Sequence, residues 1–183
     1  MLFEELFSRR IMTMGPSHVD PARQVGVLTP EVISNLLPTR TAEMEKVRWL
    51  AGTWTSENEV PATRFNPAYT DVGTITFSFD EKAGWLYVAP KTGPQIPHIT
   101  FDPLSKQWVY VLLRGAYGVL RSEAGWIDNR IVFSGFMTMV GINCEWRMTM
   151  TRDGHDRYTV VNEELDTHGV WTYIDQWKLS RQA

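Results

Sequence analysis

The spacing of apolar residues changes once along this chain. Between Thr29 and Ala51 they recur at helical intervals, and from Thr53 onward they alternate with polar residues. Val32, Ile33, Leu36 and Leu37 form one helical stripe. It opens on Thr29-Pro30-Glu31, which supplies a cap, a proline suited to the first helical position, and an acid at the positive helix end. Pro38 is expected to stop this helix, because proline lacks the N–H donor and crowds the preceding turn. A second helix is expected from about Thr41. It has Met44, Val47 and Leu50 or Ala51 on one face, with Glu43–Lys46 and Glu45–Arg48 able to pair on the other. Gly52 ends it.

The two-residue period then continues to the end of the chain. Ile75, Phe77 and Phe79 alternate with Thr74, Thr76 and Ser78, the pattern of a half-buried strand. Further strands are expected over Gly84 to Ala89, His98 to Phe101, Gln107 to Arg114, Val119 to Ile127, Arg130 to Met137, Cys144 to Thr151, Arg157 to Leu165 and Val170 to Leu179. Pro90 to Pro97 reads as a loop. Gly115 and Gly118 read as a turn or bulge. Asp102-Pro103, Asp128-Asn129 and Asp153-Gly154 carry turn chemistry. About ten strands without helical crossovers imply an antiparallel sheet. A sheet that wide tends to curl or close, and closure removes its open edges. The expected fold is mainly β: an antiparallel up-and-down barrel of about ten strands, with a two-sheet sandwich as the rival. The expected domains are an N-terminal loop and helical extension over 1–46 and a barrel over 47–183.

Composition narrows the function classes. The chain has 183 residues, and its net charge of -3 gives no basic surface for nucleic acid. No apolar run is long enough for a membrane span. Leu2, Phe3, Leu6 and Phe7 are interrupted by Glu4, Glu5, Arg9 and Arg10, unlike the core of a secretory signal. Gly15 to Leu28 reads as a loop. The single cysteine, Cys144, excludes an intramolecular disulfide and agrees with a cytoplasmic location.

Short motifs carry a resemblance. Gly52-Thr53-Trp54 after a short helix resembles the Gly-x-Trp entry of calycin, or lipocalin-like, barrels. Trp49 to Trp54, Phe101 to Trp108 and Gly125 to Ile131 resemble a bacterial lipocalin-like family of unknown function, over roughly Val47 to Arg181. The resemblance implies an internal cavity, with Gly52 and Trp54 closing one end and Lys178 or Arg181 packing over the tryptophan. It supplies no catalytic residues. Nitrobindin-like barrels, which bind haem, are a weaker likeness. Their glycine-rich run after the tryptophan is replaced here by Thr55-Ser56-Glu57-Asn58-Glu59.

No nucleophile elbow, phosphate loop or dinucleotide fingerprint occurs. His18, His98, His155 and His168 do not fall at metal-ligand spacing, so no metal site is expected. The candidate ligand contacts are Tyr87, His98, Arg114, Glu145, Arg147 and Tyr173. Tyrosine hydroxyls and a rim histidine or arginine can orient a polar group. Glu145 and Arg147 share one strand face, which is either the solvent face or, read more sharply, the lumen. The expected pocket wall includes Phe77, Tyr87, Val111, Phe133, Trp146 and Tyr173. The function these observations favour is binding of a small hydrophobic or amphipathic molecule in the barrel cavity. An enzyme using His98 or His168 with Glu145 for proton transfer is the alternative. Haem binding through His98 or His168 is the third reading. No cofactor is assigned, and a homodimer is left open.

Overall fold

A computed structural model describes residues 30–64, 66–88, 97–113, 115–139 and 141–183. The expectations for residues 1–28, the capping Thr29 and the Pro90–Pro97 loop lie outside these residues, apart from Pro97. The chain divides into two compact units after Pro38, and the second, Thr39–Ala183, contains the barrel.

Helix α1 spans Pro30–Glu45 and is followed by a 3-10 turn at Arg48–Leu50. Pro38 does not stop α1, which passes through it. A proline forfeits one backbone bond but keeps a helical φ, so a helix can continue past it. The expected second helix is therefore the last part of α1 plus the 3-10 turn. Met44, Val47 and Leu50 of this stretch are at most 1% exposed.

Ten strands follow: β1 Gly52–Val60, β2 Tyr69–Asp80, β3 Trp85–Val88, β4 Pro97–Asp102, β5 Gln107–Leu112, β6 Ala116–Ser122, β7 Arg130–Met139, β8 Ile142–Arg152, β9 Arg157–Leu165 and β10 Trp171–Arg181. Each pairs antiparallel with its neighbours, and β1 pairs with both β2 and β10, closing the barrel. The largest boundary differences from the sequence pattern are at β6. β6 stops at Ser122, and Gly118 lies inside it rather than in a turn. A side chain there would put its Cβ 2.6 Å from the Phe136 carbonyl, so glycine marks a close strand approach, not a break. Asp128 takes the positive φ of 54° that the hairpin Ile127–Arg130 requires.

Trp54 is fully buried at the end we call the base, where β1 begins and β10 ends. Its indole nitrogen donates to the Leu50 carbonyl at 2.8 Å, tying the 3-10 turn to the first strand. Tyr158 meets it edge-on at 4.9 Å between ring centres. The Arg181 guanidinium carbon lies 4.3 Å over the Trp54 ring, and Arg181 also donates to the carbonyls of Ala51 and Trp49. Lys178 instead pairs with Glu59 on the outer face. Arginine suits this position because one fork serves a ring face and two carbonyls together.

Candidate functional site

Register from Trp54 fixes which side chains enter the barrel. Side chains alternate across each strand and directly paired residues share a face. The inward set therefore runs through Trp54, Ile75, Leu86, Ile99, Tyr110 and Leu120, strand to strand. It continues through Gly135, Trp146, Asn162, Asp175 and Trp177. Near the base the lumen is filled: Leu86, Leu120, Ile131, Phe133, Tyr158 and Leu179 are all buried. Toward the opposite end, the mouth, the wall of β8, β9 and β10 is different. Cys144, Asn162, Glu164, Asp175 and Trp177 point inward yet are only half-buried, as is Tyr110 across from them. Tyr110 and Asp175 are each only half-buried at these inward positions.

These groups form a polar network in an apolar shell. The Trp146 indole N–H donates to Asn162 Oδ1 at 3.1 Å, and Asn162 Nδ2 donates to Asp175 Oδ1 at 2.7 Å. Burial raises the Asp175 carboxyl above its ordinary value, and hydrogen bonding from Asn162, Trp177 and Asn58 opposes the rise. Burial, then the Asp175 charge, raises the Tyr110 phenol. Asn58 is 8% exposed, and its Oδ1 accepts no hydrogen bond. Its amide N–H side is the one that favours the Asp175 charge, which leaves the oxygen turned elsewhere. Burial, then the Glu164 charge, raises the Cys144 thiol above its ordinary value.

A bulge aims Asp175. The β10–β9 register shifts between Tyr173 and Asp175, with Ile174 as the extra residue. Tyr173, paired with Glu163, faces out, whereas Asp175, paired with Asn162, faces in. Without the shift, residues 173 and 175 would lie on one face.

The residues singled out from the sequence are mostly outside. Tyr87 pairs with His98 on the outer face, their rings stacked 6.0 Å apart, and Trp85 meets His98 edge-on. With Asp80, Val111 and Leu113 they line a groove of about 390 Å³. Arg147 faces out and forms a two-bond ion pair with Glu163 at 2.7 Å, its guanidinium 4.4 Å over Trp171. Glu145 is exposed on the same face. Tyr173 is 43% exposed. Tyr87, Val111 and Tyr173 thus do not wall the lumen, whereas Phe77, Phe133 and Trp146 do. The physical reason is phase: one residue of error in a strand exchanges its two faces. Arg114 lies outside the described residues. His98 and Glu145, both outward on separated strands, do not converge, and His168 is exposed in the Asp166 turn. No described histidine enters the lumen, so none is placed there as a haem ligand or proton-transfer group.

Tyr110 was one of the tyrosines able to supply a hydroxyl to a pocket, whereas Asn58, Asn162 and Asp175 went unnoticed as site residues in the sequence. The signal was present for all three: Asn58 is in phase with Trp54, Asn162 with Tyr158 and Val160, and Asp175 with Trp177 and Leu179. Among the described residues no group of three or more His, Cys, Asp or Glu is arranged to hold a metal ion. No described helix is long and apolar enough to cross a membrane.

No protein-family model matches the chain, and no curated protein matches it. Among solved structures, Rv2717c from M. tuberculosis is similar with a TM-score of 0.51 at 9% identity, covering 77% of this chain and 98% of its own. A protein of unknown function from the DUF3598 family of Nostoc punctiforme has a TM-score of 0.40 at 15% identity, over 74% of this chain and 49% of that one. EF1p2_mFAP2b, solved bound to DFHBI, has a TM-score of 0.37 at 10% identity, over 76% of this chain and 99% of that one. At these identities the first likeness speaks to the fold alone, and the lower-scoring two carry no argument. The barrel is established, and membership of the calycin family is not.

Proposed function

We propose that this protein binds a small, mostly apolar molecule in the mouth half of its barrel lumen. One observation carries the reading: on the wall of β8, β9 and β10 the inward Cys144, Asn162, Asp175 and Trp177 are only half-buried, beside the buried Trp146. An apolar shell with a few polar groups placed inside it is the usual make-up of a small-molecule site. Ligand contact thus passes from the outward Tyr87, His98, Glu145, Arg147 and Tyr173 to this inward set.

The test is a titration with Nile red, alongside native mass spectrometry of the purified protein for a retained small molecule. Cys144→Phe fills the lumen from β8, and Tyr87→Ala opens the outer groove. Saturable binding that Cys144→Phe removes and Tyr87→Ala leaves unchanged is the expected result. Loss through Tyr87→Ala alone would move the site to the outer groove and end the lumen reading.

A further inference from the structure

The polar end of the lumen has more acceptors than donors. Apart from the Tyr110 hydroxyl, its donors are engaged within the network: Trp146 with Asn162, Asn162 with Asp175, and the Asn58 and Trp177 N–H groups toward Asp175. What is left over is the Asp175 carboxylate and Asn58 Oδ1, a buried acceptor with no partner.

Charge points the same way. Asp175, Glu164 and Asp71 occupy inward positions on β10, β9 and β2. Among the described strand residues, the basic ones at inward positions are Arg152 and Arg181. Both are at the base, over Trp49 and Trp54. A carboxylate or phosphate ligand would meet like charge with no counter-ion. Among the described residues a metal ion would find no cluster of ligands. An ammonium group carries three donors and no acceptor, and aromatic faces also attract it. Trp146, Trp177 and Tyr110 supply such faces.

We propose that the lumen selects a cationic amine carried on an apolar body, with the ammonium set at the Asp175 carboxylate. This rests on the lumen being the ligand site. A matched series separates the two ideas: octylamine, octanol and octanoate, titrated calorimetrically into the wild-type protein, Asp175→Asn and Asn58→Leu. Octylamine should bind at least about tenfold tighter than octanol, with octanoate weakest, since close charge pairs at interfaces contribute that much or more. Asp175→Asn should remove the preference for the amine while octanol still binds, which also shows that the variant is folded. Asn58→Leu should weaken octylamine more than octanol. Equal binding of octylamine and octanol to wild type, or tighter binding of octanoate, would overturn the amine assignment and leave the lumen site standing. Failure of all three to bind would overturn both.

Discussion

Asp175 illustrates at the scale of one residue how a site can work against stability. A carboxyl raised by burial holds its proton to higher pH in the folded chain than in the unfolded one. Stability therefore falls as pH rises from the ordinary aspartate range through the raised value, and stays lower above it. Asp175→Asn should raise the thermal midpoint at neutral pH by about 2–4 °C, what about 1 kcal/mol gives at this chain length. The gain should shrink as pH falls into the ordinary aspartate range, which melting curves across pH would check. Trp54 stands at the other extreme. It is fully buried, bonded to Leu50 and enclosed by Tyr158 and Arg181. Trp54→Ala should cost about 3–5 kcal/mol in urea unfolding, the range for truncating a large core aromatic.

Elements place these residues, and strand phase decides what each can do. Arg147 and Glu163 sit opposite each other on β8 and β9, on the outer face. Hydrogen bonding from Arg147, and to a lesser degree its charge, holds Glu163 below its usual range, so this pair stabilises the fold above that range and loses its contribution as pH falls through the lowered value. The pair is partly exposed, so Arg147→Ala should cost about 1 kcal/mol or less. Octylamine affinity should be unchanged in that variant, because the side chain does not reach the lumen. On β6, Gly118→Ala would set a methyl against the Phe136 carbonyl. It should destabilise by about 1–3 kcal/mol, as overpacking does; chemical denaturation reads the loss directly.

Along the barrel axis, inward side chains are buried at the base and only half-buried toward the mouth on β8, β9 and β10. A ligand held there binds the folded chain and not the unfolded one, so it should raise the unfolding midpoint with concentration. Octylamine at a hundred times its dissociation constant should add about 2.7 kcal/mol. The increment should be smaller in Asp175→Asn. A flat response in differential scanning fluorimetry would count against the lumen as a site.

Much of the architecture was legible without coordinates, because its causes are local. The two-residue period follows from strand geometry, the turns from Asp, Asn and Gly chemistry, and the tendency to close from the number of strands without crossovers. The sequence alone therefore determined about ten antiparallel strands behind a helical preface and favoured a barrel over a two-sheet sandwich, and the structure decided closure. The sequence did not determine which face of each strand looks inward. That depends on register against neighbours distant in sequence, and one bulge at Ile174 turns Asp175 in while leaving Tyr173 out. Tyr87, His98, Glu145 and Arg147 looked eligible because alternation fixes pairs of faces and not their sign. Tertiary closure chose the sign. It sent those residues outward and assembled Asn58, Tyr110, Asn162 and Asp175, from four strands, around one space.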